Sequence, residues 1–230
     1  MNSLCILIDK YLLLPQIHYK YMEAIKVKNL GIIDYCSASA LQENEKQSVI
    51  EKRSSGTVFF LQHYPSITLG RHCAPDDILY PKEFLAGHGY SVFKSSRGGR
   101  ATVHEPGQLV IYYVLPVKSK DSAAFAASIV EPMTAALNSH FGLNLSFIAH
   151  NPGIWQDGMK CASIGFDLRG GVSMHGVALN VCNNLTGFSF INPCGMPSSV
   201  MTTMSALAGR HISVEEAIEP LALLYSKRNF

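Results

Sequence analysis

Apolar positions along this chain recur at two periods, and the two periods divide it into helices and strands. Asp34 reads as the N-cap of a helix running to about Arg53, with Ala40, Leu41, Val49 and Ile50 on one face. A second helix opens at Asp121 and ends at Gly142. Its Phe125, Ile129, Met133, Leu137 and Phe141 share a core face, and Pro132 inside it predicts a kink or a break. Ser213 and Glu216 form a capping box for a last helix. Thr57–Leu61 is a short apolar run that reads as a buried strand, and further strands are expected at Gln108–Val114, Leu143–Ile148, Cys161–Leu168 and Val172–Val181. In the last of these Val172 and Met174 share one phase while Val177, Leu179 and Val181 share the other, so a bulge is expected at His175-Gly176. Strands and helices mix without strict alternation, which points to an α+β fold rather than a doubly wound one.

No repeat, low-complexity tract or Pro/Gly/Ser linker interrupts this pattern, so one continuous core is expected over residues 29–230. Residues 1–28 read as an N-terminal extension, with Met22 as an alternative start. The chain has 230 residues, 47% apolar and 16% charged, which places it among soluble globular proteins. A net charge of +2 gives no argument for nucleic acid or an acidic membrane as partner. No apolar run reaches the roughly eighteen residues of a membrane span. Asp9 and Lys10 split the N-terminal apolar clusters, no basic residue precedes them and no small-residue cleavage site follows, so no signal peptide is expected. The six cysteines lack metal-type spacing and read as reduced thiols of a cytoplasmic protein.

Three places carry candidate chemistry. The stretch from Arg97 to Gln108 is rich in glycine, and such a loop lets backbone amides approach a ligand or simply joins two strands. Cys194 lies between Pro193, which fixes the approach of the chain, and Gly195, which permits a sharp exit. A lone cysteine is otherwise a small buried hydrophobe, the reading that suits Cys161 and Cys182, while Cys5, Cys36 and Cys73 have no chemical context. Lys160 opens a largely apolar strand, either as a solvated end or as a cation aimed into a site. One ammonium about 4 Å from a thiol supplies about 4 kcal/mol at an effective dielectric near 20. That exceeds the roughly 2.7 kcal/mol needed to lower a thiol's pKa by about two units. His104 and His175 read as acid–base groups, as ligands or as hydrogen-bonded structural histidines, and the structural reading is preferred over acid–base chemistry. No metal-ligand set, P-loop or G-x-S-x-G pattern occurs, and no cofactor is expected.

Taken in order, five segments resemble one family. They are Tyr64-Pro65-Ser66-Ile67-Thr68-Leu69-Gly70-Arg71, the Arg97–Gln108 loop, Gly153-Ile154-Trp155 with Lys160–Gly165, His175–Val181, and Asn192-Pro193-Cys194-Gly195. From about Asn29 to the end the chain resembles the octanoyltransferase (lipoate–protein ligase B) family of the lipoate/biotin ligase superfamily. The resemblance implies a mixed, mainly antiparallel sheet flanked by helices around an acyl-binding tunnel. It implies transfer of an octanoyl group from acyl carrier protein to a lysine of lipoyl domains, in 2-oxoacid dehydrogenase complexes and the glycine cleavage H protein. By position, Cys194 would form the acyl-thioester intermediate, and Lys160 would lower its pKa and serve as a base. Arg97, Gly98, Gly99, Arg100, Ala101, Thr102, Val103 and His104, with Ser163, Ile164, Gly165, His175, Gly176 and Val177, would line the acyl substrate. The resemblance brings two alternatives: an ATP-dependent lipoate ligase of the same fold, against which the Pro193-Cys194-Gly195 turn speaks, and a catalytically silent acyl- or lipoyl-domain-binding protein. Three positions depart from the pattern. Val103 replaces an aromatic residue, Arg100 a Gln or Asp, and Glu105 a glycine, and Glu105 calls for a partner such as Arg97 or Arg100.

Overall fold

The structure, a computed structural model, describes residues 25–118 and 121–227. Met22 and residues 1–24 of the expected extension lie outside it. Ten strands and five helices are described: β1 (Lys26–Ile33), α1 (Tyr35–Ile50), β2 (Thr57–His63), β3 (Ser66–Leu69), α2 (Lys82–Gly87), β4 (Ser91–Lys94), β5 (Ala101–His104), β6 (Gln108–Val114), α3 (Ser122–Phe141), β7 (Ser146–Ile148), β8 (Gly153–Gln156), β9 (Met159–Asp167), β10 (Met174–Asn180), α4 (Met204–Ala208) and α5 (Val214–Ser226). They form a seven-stranded sheet in the order β1-β2-β6-β10-β9-β8-β7 and a three-stranded sheet in the order β4-β3-β5. Only β1 with β2 and β3 with β4 run parallel, so the fold is α+β with mixed, mainly antiparallel sheets.

The central strands of the large sheet are buried on both faces, and they are accordingly largely apolar. In β6, Leu109, Ile111 and Tyr113 face a core closed by Ile129, Met133 and Leu137 of α3 and Leu221 of α5. The alternate residues Val110, Tyr112 and Val114 face a second core closed by Ala38 and Val49 of α1. A third core joins the small sheet to Phe188, Phe190 and Ile191.

Asp34, Asp121 and the Ser213/Glu216 pair cap α1, α3 and α5 as expected. Four expectations are corrected. In α1 only Val49 of the expected face is buried, while Ala40, Leu41 and Ile50 face solvent. The helix instead turns Tyr35, Ala38 and Gln42 inward, and the Gln42 Oε1 accepts a 2.7 Å hydrogen bond from the His175 backbone N–H. α3 runs through Pro132 as one helix, so of the expected kink or break the break does not occur. The strand expected from Leu143 begins only at Ser146, because the Asn138 side chain exchanges two hydrogen bonds with the Leu145 backbone and ties that segment to α3. No bulge interrupts β10. Its ladder with β9 is regular from Met174 to Leu179, with Val172 and Ala178 in one core and Val177, Leu179 and Val181 in the other. The change of phase reflects which face holds the larger residues. Within that regular ladder His175 takes a left-handed φ of 61°.

Candidate active site

Cys194 and Lys160 come from distant parts of the chain and meet. Lys160 is the second residue of β9 and is fully buried. Its Nζ lies 3.7 Å from the Cys194 Sγ and 5.3 Å from the centre of the Trp155 ring. Gly153, on the neighbouring strand, makes the space for it: a Cβ there would stand 2.6 Å from the Lys160 Cε. Burial pulls the Lys160 ammonium below the ordinary lysine value, and Cys194 opposes that shift. The Trp155 ring face further offsets the loss of hydration.

Cys194 sits in the middle of a short turn, Pro193–Gly195, with φ 56° and ψ 29°. A residue with a Cβ adopts that left-handed conformation only when its surroundings hold it there. Gly195, with φ 75°, completes the reversal. The side chain is half-buried and lines a cavity with about 490 Å³ of free space, part of it open to solvent.

The loop after β4 forms one rim. It is pinned on one side by hydrogen bonds from the Arg71 and His72 N–H groups to the Arg97 and Gly99 carbonyls, each 3.0 Å. On the other side the Gly98 N–H bonds to the Phe166 carbonyl at 3.0 Å. Gly165 allows this approach, since a Cβ would stand 3.0 Å from the Gly98 oxygen. The buried Arg97 guanidinium donates to the Thr68 carbonyl (2.5 Å), the Thr68 hydroxyl (2.9 Å) and the Gly98 carbonyl (2.9 Å). The Thr68 hydroxyl in turn donates to His104 Nε2 (3.1 Å), leaving His104 Nδ1–H to donate to Gln108 Oε1 (2.8 Å). His104 is held neutral by its burial, and His175 is pushed down to about 4, first by burial and then by Arg97. His175 Nε2 lies 2.8 Å from the Ser96 hydroxyl.

Of the sequence-derived substrate residues, Arg97, Gly99, Arg100, Ala101, Thr102 and His104 line this cavity, as do Ser163, Ile164, Gly165, His175, Gly176 and Val177. Val103 and Gly98 do not. Strand alternation in β5 turns Thr102 and His104 toward the cavity and Val103 into the third core, fully buried beside Tyr90 and Phe188. Glu105 is also corrected. It reaches neither Arg97 nor Arg100, and instead accepts from the Tyr90 hydroxyl (2.7 Å), the Asn183 amide (2.9 Å) and the Gly187 N–H (3.3 Å). Tyr35, Thr68, Ser95, Val110, Tyr112 and Ala178 complete the lining. Val110 and Tyr112 were within reach of period-2 reasoning on β6. Tyr35 depends on how α1 packs and had no local signal.

The same fold occurs in solved lipoate ligases. The bipartite lipoate protein ligase of Thermoplasma acidophilum superposes with a TM-score of 0.70 at 15% identity, covering 89% of this chain and 83% of that one. A lipoate-protein ligase A bound with ATP gives 0.71 at 14% identity, covering 89% and 85%. The model of the lipoyl protein ligase A/B catalytic domain matches residues 34–224, and the chain belongs to that family. Among its curated relatives, the octanoyltransferase of Geobacter sulfurreducens is 38% identical over 199 residues, 84% of this chain and 80% of the relative. That of Alkaliphilus metalliredigens is 33% identical over 209 residues, 88% and 94%.

Proposed function

We propose that this protein is an octanoyltransferase that carries the acyl group on Cys194 and delivers it to a lysine of a lipoyl domain, in the cytoplasm. The observation that carries the reading is the contact of a fully buried lysine with the cysteine at 3.7 Å. At an effective dielectric near 20, an ammonium and a thiolate at that distance attract by about 4.5 kcal/mol.

In the proposed cycle the Cys194 thiolate attacks the carbonyl of an octanoyl thioester on acyl carrier protein. An Sγ–acyl bond forms, the donor's carbon–sulfur bond breaks, and the departing thiolate takes a proton from the Lys160 ammonium. The neutral amine of the acceptor lysine then attacks the Cys194 thioester. The amide forms, Cys194 leaves as thiolate, and the proton lost by the attacking nitrogen goes to Lys160, restoring the ion pair. The low lysine value imposed by burial favours the neutral amine that this second step requires. Thioester exchange is near balanced in energy and aminolysis of a thioester to an amide runs downhill, so neither step calls for ATP.

The experiment is transfer to an isolated lipoyl domain from octanoyl-acyl carrier protein without ATP, against free octanoate with ATP. Modification is expected in the first mixture, and its loss in Cys194→Ala and Lys160→Met. Modification only in the second would assign the chain to the ATP-dependent ligases instead.

A further inference from the structure

The strained Cys194 turn must be held from outside, and one residue, Asp77, acts on both of its sides. Asp77 is fully buried. Its backbone carbonyl accepts from the Asn192 N–H at 2.9 Å, and the neighbouring Asp76 carbonyl accepts from the Asn192 side chain at 2.8 Å. Ile78 bridges Ile191, and the Leu79 N–H bonds to the Phe190 carbonyl at 3.0 Å. Residues 76–79 thus form a short clip that grips the chain up to the residue before Pro193.

The Asp77 side chain acts on the other side. It accepts from the Ala74 N–H at 2.9 Å, closing its own turn, and pairs with Arg100 through Nε (3.0 Å) and a terminal nitrogen (2.5 Å). The Arg100 guanidinium lies directly against Gly195, where an added Cβ would collide with it. Arg100 therefore backs the residue after Cys194, while the clip fixes the residue two before it.

We infer that Asp77 is a positioning residue which, through its own backbone and through Arg100, holds Cys194 in its left-handed conformation with the sulfur on Lys160. The inference rests on the Cys194 thioester reading. It makes Arg100 a brace of the nucleophile's turn in addition to a wall of the cavity. Loss of the brace lets Cys194 relax out of the positive-φ region and withdraw from Lys160, a displacement that costs rate rather than donor affinity.

The test compares wild type, Asp77→Asn, Arg100→Gln and the double variant. The measurements are the rate of octanoyl loading from octanoyl-acyl carrier protein, its donor KM, the ratio of Cys194 alkylation rates at pH 7 and pH 9, and the melting temperature. Both single variants are expected to load about tenfold to a hundredfold more slowly at saturating donor. Donor KM of Asp77→Asn, whose side chain lies outside the cavity lining, stays within about twofold, the alkylation ratio falls in both single variants, and the double variant is no worse than the worse single, because both act through one pair. A structural role alone would lower the melting point without moving the alkylation ratio. The inference is overturned by wild-type loading in Asp77→Asn, by a loss that resides in KM, or by single effects that multiply in the double variant. Should Asp77→Asn fail to fold, Arg100→Gln, altered at the partly exposed partner, decides the question by the same readouts. Absence of any octanoyl adduct in wild type overturns the thioester reading itself, and this inference with it.

Discussion

Gly153 offers a way to move Lys160 without changing either reacting side chain. In Gly153→Ala the new methyl would stand 2.6 Å from the Lys160 Cε, 2.8 Å from the Trp155 Nε1 and 3.0 Å from the Ala162 carbonyl. Carbon atoms rest at about 3.5–4.0 Å, so the lysine tip, the most flexible of the three neighbours, must retreat by about 1 Å. Starting from a separation of 3.7 Å between Nζ and Sγ, its attraction for a thiolate falls from about 4.5 to about 3.5 kcal/mol at an effective dielectric near 20. A loss of about 1 kcal/mol is roughly fivefold in the population of the ion pair. The assay is alkylation of Cys194 by iodoacetamide, followed by intact mass at pH 7 and pH 9. The ratio of the pH 7 rate to the pH 9 rate is expected to drop, by up to about fourfold, in Gly153→Ala. A ratio equal to that of wild type, in a variant whose melting curve shows it folded, would refute the reasoning, because the methyl cannot be accommodated without moving Lys160 or its Trp155 support.

Two other substitutions separate support of the fold from chemistry. Glu105→Gly strips partners from Tyr90, Asn183 and Gly187; a cost of roughly 2–4 kcal/mol is expected. Scanning calorimetry should record a melting point lower by about 4–16 °C, with the preference among hexanoyl, octanoyl and decanoyl donors unchanged, and an altered preference would contradict the placement of Glu105 behind the cavity wall. His175, held to about 4, is neutral in the folded protein at pH 7 and resists the proton that the unfolded chain accepts near pH 6.5. Stability is therefore whole above about pH 6.5 and is lost as pH falls from there toward about 4. His175→Asn, which tolerates the left-handed φ, removes this contribution, so urea unfolding of wild type should lose about 2.4 kcal/mol more than the variant between pH 7 and pH 4.5. Parallel pH dependences would show that burial of His175 carries no such penalty.

The sequence was most informative where local chemistry decides structure. The Asp34, Asp121 and Ser213 caps need only their own turns, and β6 is apolar at nearly every position because both of its faces are covered. It was least informative where the deciding contact is remote. Gln42 is drawn into the core by a hydrogen bond to a residue more than a hundred positions away, which no period on α1 foretells. Val103 and Glu105 departed from the family's pattern and drew attention to the cavity, but alternation in β5 and the Tyr90 hydroxyl place both behind its wall. The two residues of the proposed chemistry were legible for different reasons. Cys194 stood in a Pro/Gly turn whose strain is local, whereas the burial of Lys160 depends on Gly153 across the sheet and on Met201, bridged to its backbone. Asp77 gave no signal, since its turn is ordinary and its partners lie at Arg100 and Asn192.

The proposed chemistry stands or falls on a covalent octanoyl group at Cys194. Brief incubation with octanoyl-acyl carrier protein, without acceptor or ATP, followed by intact-protein and peptide mass spectrometry, looks for it directly. One added octanoyl group is predicted, located on the peptide containing Cys194, released by hydroxylamine and absent from Cys194→Ser treated in the same way. An unmodified protein that nevertheless transfers octanoyl to a lipoyl domain, or an adduct that persists in Cys194→Ser after hydroxylamine, would contradict it.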